Sequence, residues 1–274
     1  MLVFLFFNSI EMEVRNGVAM FAGDRNTLTS IEIPDGVIEI GDWCFAGCSS
    51  LTSVIIPDNV EYIGTYCFEG CKSLTSIVIP NSVTHIGKSC FAECSSLTSV
   101  RISDNVTNIR DWCFTECSSL TSIEMSDNVT YIGMFCFKGC SSLTSIRIPD
   151  NVEYIGDDCF AECSSLTSVI IPDNVEYIGT YCFKDCTSLT SIKIPDDVTH
   201  IGIGCFNSCK SLKNVILPRL MREIPYGCFI DCESLEVIVI PQSIKCIPFD
   251  AFQGCVKLLD IIIGDTNLEE KHIK

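Results

Sequence analysis

From Leu28 onward the chain repeats one pattern of apolar and polar positions every 23 residues. Leucines fall at Leu28, Leu51, Leu74, Leu97, Leu120, Leu143, Leu166, Leu189, Leu212, Leu235 and Leu258, with no insertion between them. Each repeat is numbered here from its leucine as place 1. In Leu166 to Ser188, LTSVIIPDNVEYIGTYCFKDCTS, places 1, 4, 6, 10, 13 and 18 are apolar, place 7 is Pro, place 14 is Gly, and places 17 and 21 are Cys. A strict period of this length marks a solenoid, in which a unit buries its apolar face only against its neighbours.

Within one repeat, the alternation at Val169 and Ile171 in a β-branched run predicts a strand with one face buried, and Pro172 ends it. A second extended piece is expected around Val175 and Ile178. Gly179, Cys182, Phe183 and Cys186 have the i, i+3, i+4, i+7 spacing of one helical face, which predicts a helical turn. Gly179 would let that turn start close to the coil before it. Successive strands then stack in parallel at about 4.8 Å.

Three segments follow. Residues 1–27 are expected to form a degenerate N-terminal cap repeat, 28–263 ten full turns and a partial one, and 264–274 a polar tail. Ile10, Met12 and Val14 alternate with polar residues, and Phe21-Ala22-Gly23 echoes Phe45-Ala46-Gly47. The apolar start, MLVFLFFNSI, has no basic residue before it and no small-residue cleavage site after it, so a first strand is preferred to a secretory signal. No stretch reaches the roughly 20 apolar residues of a membrane-spanning helix, and membrane insertion is not expected.

Variable places carry the functional expectation, because the invariant ones build the coil. Place 5 faces outward from the strand and has a charged middle, Arg101, Glu124 and Arg147. Towards the C-terminus the outward places 3 and 5 become Asn214, Ile216, Val237, Val239, Asp260 and Ile262. Ile216, Val237, Val239 and Ile262 are therefore expected to form an apolar patch that binds a protein partner or a second copy, with the three charged residues setting orientation. Strand propensity alone is the competing explanation. The aromatic rows at place 12 (Tyr62, Tyr131, Tyr154, Tyr177) and place 16 (Trp43, Tyr66, Trp112, Phe135, Tyr181) are expected to stack on neighbouring coils, with binding anchors as the alternative.

Net charge narrows the partners. At −17 over 274 residues the chain is a poor match for nucleic acid or anionic membrane surfaces. Of the twenty cysteines, eighteen form nine Cys-Phe-x-x-Cys pairs, from Cys44/Cys48 to Cys228/Cys232, and the tenth coil keeps only Cys255 of the pair. They are expected to be buried free thiols acting as small hydrophobes, in preference to disulfides or a thiolate metal site. Such thiols suit a reducing compartment.

Catalysis finds no constellation. His85 and His200 hold the same place five coils apart, and the serines of place 3 have no partnered base. The aspartates of place 8 suit turn formation after Pro better than calcium. No catalytic, cofactor-binding or metal-ligating residue is predicted.

The frame Leu-x-x-Val-x-Ile-Pro, Val-x-x-Ile-Gly, Phe-x-x-Cys over residues 28–263 resembles the 23-residue leucine-rich repeat of the BspA-like family. The resemblance implies a leucine-rich-repeat solenoid, with a parallel β-sheet on one face and short extended and helical segments completing each turn. It also implies adhesion, through binding of host-cell or matrix proteins, at the cell surface or after secretion. An intracellular interaction scaffold of the same build is the alternative that the thiol content favours.

Overall fold

The protein, seen in a computed structural model, is described over residues 3–7 and 10–264, with residues 3–7, 10 and 11 as backbone alone. The polar tail expected over 264–274 lies outside the described residues from 265 on. The repeats wind into a solenoid with three hydrogen-bonded ladders along its length.

The first ladder comes from places 3 to 5, where Ser145–Arg147, Ser168–Ile170 and Ser191–Lys193 pair in parallel and in register, serine against serine. Their middle residues point inward and their outer two face solvent, the alternation expected of a half-buried sheet. The second ladder comes from places 12 and 13, as in Tyr131–Ile132, Tyr154–Ile155 and Tyr177–Ile178. Its isoleucines are buried and its place-12 residues lie at the surface.

The third side corrects the expected helical turn. Among the described residues there is no helix. Places 14 to 21 are a chain of tight turns instead, closed by bonds such as Cys113 N–H to the Arg110 carbonyl at 3.3 Å and Cys117 N–H to the Phe114 carbonyl at 3.2 Å. Alternate amides leave the coil altogether: those of Trp112, Phe114 and Glu116 donate to the carbonyls of Met134, Cys136 and Lys138 in the next coil, at 2.9, 2.9 and 2.7 Å. Left-handed φ at Trp112 (62°) and Glu116 (59°) breaks any helix and turns these amides along the stack. The inward spacing is helix-like, but the backbone bonds run between coils.

Inside the three ladders lie rows of identical side chains. Nine phenylalanines from Phe45 to Phe229 are fully buried. Their rings stack in parallel, for example Phe137 on Phe160 and Phe160 on Phe183, both at 5.4 Å. Close approach between coils depends on place 14: a Cβ on Gly179 would lie 2.4 Å from the Asp157 nitrogen and 2.5 Å from the Gly156 carbonyl carbon.

At the N-terminal end, Val3–Phe7, Ile10–Arg15 and Val18–Phe21 form an antiparallel meander. Its last strand joins the second ladder in parallel through Val18 opposite Glu39 and Ala19 opposite Ile40. Phe21 continues the phenylalanine row, 5.7 Å from Phe45 and tilted by 35°. The cap thus shares the core row of a coil while its first strands run in the opposite sense to one another.

Candidate partner-binding surfaces

The outward row of the first ladder is set by register, since every residue at place 5 stands beside its counterpart in the next coil. Ile216 lies opposite Val239, and Val239 opposite Ile262. Val237 sits on the same face between Asn214 and Asp260. The four apolar residues singled out in the sequence are therefore brought together on three adjacent strands. All four are half-buried, whereas Ile170, flanked in register by Arg147, is 81% exposed. Neighbouring β-branched side chains at strand spacing cover one another, which makes the patch a continuous apolar surface and not a set of isolated projections.

The charged residues are arranged differently. Arg147 shares the six-stranded sheet of the apolar patch, but Arg101 and Glu124 belong to the preceding three-stranded sheet. Arg101 Nε is 3.9 Å from Glu124 Oε2 and its Nη2 is 3.5 Å from Asp104. Arg147 turns away from Glu124 and pairs with Asp127 at 2.9 Å and Asp150 at 3.2 Å. The hydrogen bond from Arg147 holds the Asp127 carboxyl below its ordinary range. These cations are tied to carboxylates of the place-8 turns, so they present a neutralised strip rather than free charge.

The aromatic rows stack on neighbouring coils. Tyr131, Tyr154, Tyr177 and His200 form a column with centroid spacings of 4.8, 4.7 and 4.6 Å, and Tyr62 stacks on His85 at 4.9 Å. Burial pushes the Tyr154 phenol up to about 12, with Tyr131 and Tyr177 adding to the shift. At place 16, Trp43 stacks on Tyr66 at 4.0 Å and Trp112 on Phe135 at 3.9 Å. All four adopt left-handed φ between 56° and 62°. That conformation is costly for a bulky side chain, and ring stacking together with the inter-coil amide ladder offsets it. Faces used in stacking are not free to bind.

Every cysteine is a free thiol, and eighteen of the twenty are buried. Burial pushes the Cys44, Cys113 and Cys163 thiols up to about 12. His85 and His200 are spent in the aromatic columns, and His85 Nδ1 lies 2.8 Å from the hydroxyl of its exposed chain neighbour Thr84.

Sequence reading passed over place 15. There Asp111 is a buried carboxylate, bonded to Lys88 Nζ at 2.7 Å and to the Met134 amide at 3.2 Å. Asp42 and Asp157 likewise accept the amides of Thr65 and Thr180 in the next coil, at 2.7 and 2.8 Å. The signal was the recurrence of Asp at one place, at Asp42, Asp111 and Asp157, directly after place 14.

The description "BspA type leucine rich repeat region" matches residues 17–144 and 130–259, in six copies. The chain belongs to that family. Among solved structures, a leucine-rich repeat protein from Bacteroides ovatus is 31% identical over 85% of this chain and 78% of its own, with a TM-score of 0.56. The Treponema pallidum (T. pallidum) leucine-rich repeat protein is 28% identical over 59% of this chain and 78% of its own, also at 0.56. One from Eubacterium ventriosum, at 21% identity and 0.56, covers 95% of this chain and shares the fold. No curated protein matches the sequence. The chain is a leucine-rich repeat solenoid, an architecture of protein-interaction modules.

Proposed function

We propose that this protein is a non-catalytic adhesion or binding module that meets its protein partner with the outward face of the first ladder at its C-terminal end. The observation that carries this reading is the in-register row Ile216, Val239 and Ile262, with Val237 beside it, three successive apolar places beyond a row whose middle is charged. Apolar side chains that protect one another in a continuous row lose little further entropy on binding and release water from a single surface. Arg101, Glu124 and Arg147 lie further along the same outward row, where their paired charges would limit the orientations a partner can take.

The family resemblance favours a host-cell or matrix protein as that partner. Eighteen buried free thiols favour a second reading, an interaction scaffold inside the cell. Antibody labelling of intact against permeabilised cells separates the two. For the surface itself, Ile216→Asp with Val239→Asp should leave the circular dichroism spectrum unchanged while abolishing capture by immobilised matrix proteins or association seen by light scattering. A folded double variant that still binds would remove the patch from consideration.

A further inference from the structure

The second ladder has a break that the other two do not share. It runs in register from Asn108–Ile109 to His200–Ile201 and stops. Beyond it only a single bridge remains, Glu223 opposite Cys246. The cause is place 14. A Cβ on Gly202 would stand 2.2 Å from the Thr180 nitrogen, so this place demands glycine wherever two coils close fully. The next two coils carry Pro225 and Pro248 instead. A proline ring cannot enter that space, and it has no N–H to give to the preceding coil. The ladder also breaks, between His85–Ile86 and Asn108–Ile109, at the other replacement of this glycine, Arg110.

At Pro225 the remaining sides hold the coils together. Lys193 still pairs with Ile216, and Gly204 and Phe206 donate to the Tyr226 and Cys228 carbonyls, both at 2.9 Å. The opening is therefore a wedge-shaped cleft, with a volume of about 1240 Å³, between coils that stay joined above and below. Its lining includes His200, Ile203, Arg222, Pro225, Tyr226 and Lys245.

The chemistry of the rim changes at the same point in the chain. Place 15 is Asp157, then Thr180, then Ile203, Tyr226 and Phe249. The last three are 49%, 60% and 95% exposed, and Leu220 beside them is 71% exposed. Place 11 changes too, from Glu153, Glu176 and Thr199 to Arg222 and Lys245. Among the described residues the Arg222 guanidinium meets no carboxylate within ion-pair distance, and the Lys245 ammonium bonds only the Gln242 carbonyl, at 3.3 Å. Elsewhere on this acidic chain, arginines such as Arg101 and Arg147 are neutralised by aspartates.

We propose that this cleft is a second docking site, independent of the apolar patch on the first ladder, and that it takes an extended acidic segment of a partner protein bearing apolar side chains. An apolar side chain enters the wedge against Ile203, Pro225 and Tyr226. Carboxylates of the segment pair with Arg222 and Lys245. A basic or purely apolar segment would leave those two cations unpaired, and the −17 charge of the chain would not favour a second copy there.

Fluorescence anisotropy of the full chain with a short labelled peptide of alternating glutamate and leucine tests this, with the lysine-leucine counterpart as control. The glutamate peptide should bind more tightly by about tenfold or more and should weaken with added salt. Arg222→Glu with Lys245→Glu should reverse that preference. Pro225→Gly should let the coils close and lower affinity for the glutamate peptide at unchanged circular dichroism. Ile216→Asp with Val239→Asp should bind it as the parent does, so failure of the first-ladder reading and of this one can be told apart. Equal binding of both peptides, binding of neither, or indifference to the charge reversal would each overturn the proposal. So would a parent dimer in light scattering that the charge reversal dissolves, because the occupant would then be a second copy.

Discussion

The thiol of Cys186 donates a hydrogen bond to the carbonyl oxygen of Phe160 in the preceding coil, at 3.2 Å. That oxygen also accepts the amide of Cys163, at 3.2 Å, so both of its lone pairs are used. The same thiol-to-carbonyl bond recurs from Cys71 on Phe45 to Cys255 on Phe229. Place 21 thus needs a side chain that fills an apolar gap and still offers a donor, which a cysteine does and an alanine or valine does not. The cysteine row is a fourth line of inter-coil bonding, inside the core.

Thiol titration should follow burial. In the folded protein a thiol-specific reagent should react quickly with Cys246, which is exposed, more slowly with half-buried Cys255, and negligibly with the other eighteen. After denaturation without reductant all twenty should react. A denatured count below about half of these would mean that bridges form, in conflict with the donor role of place 21.

Stability should fall above about pH 9. Burial raises the Cys44, Cys113 and Cys163 thiols from 9.0 to about 12, so the folded state keeps protons that the unfolded chain gives up. Their contribution is fully present below pH 9 and is lost as pH rises towards 12. Each such thiol costs about 1.4 kcal/mol of stability per pH unit in that window. Denaturant midpoints measured between pH 7 and 10 should show a steep alkaline loss, and a flat profile would contradict it.

Position along the stack should set the cost of losing a ring. Phe160 is fully buried between Phe137 and Phe183, while Phe252 is half-buried and stacks on Phe229 at 5.6 Å. Phe160→Ala should cost about 3–5 kcal/mol in chemical denaturation, and Phe252→Ala clearly less because an end coil has fewer neighbours to lose. Equal losses would argue against nearest-neighbour energetics.

Gly179→Ala should destabilise by about 3 kcal/mol, the upper range for overpacking, because the atoms its methyl would meet are backbone and cannot swing aside. Gly36→Ala meets nothing within 4 Å, so its cost is only that of holding alanine at a φ of 86°. Thermal denaturation of the two variants should rank Gly179→Ala as the less stable.

Much of this was legible along the chain. The leucine period determined the solenoid, Val169 and Ile171 the strand, Phe183 and Cys186 the core rows, and Gly179 the close contact, because each depends on a repeat meeting a copy of itself. A residue's neighbour in the stack is then known from its place alone. Ile216, Val239 and Ile262 were brought together by that same rule.

Only the tertiary structure decided which partner each backbone amide takes. Places 14 to 21 have an inward spacing that a helix and a chain of tight turns produce equally, so the sequence could not tell whether Phe114 bonds within its own coil or to Cys136 in the next. Charge pairing was undecided for the same reason: Arg147 reaches Asp127 and Asp150 in the place-8 turns, which its position in the outward row does not specify. Pro225 was plain to see, yet a missing amide becomes a cleft only when the coils on either side of it are held at fixed spacing by the other two ladders. Periodicity determines which coils meet, and the hydrogen bonds between them determine how closely.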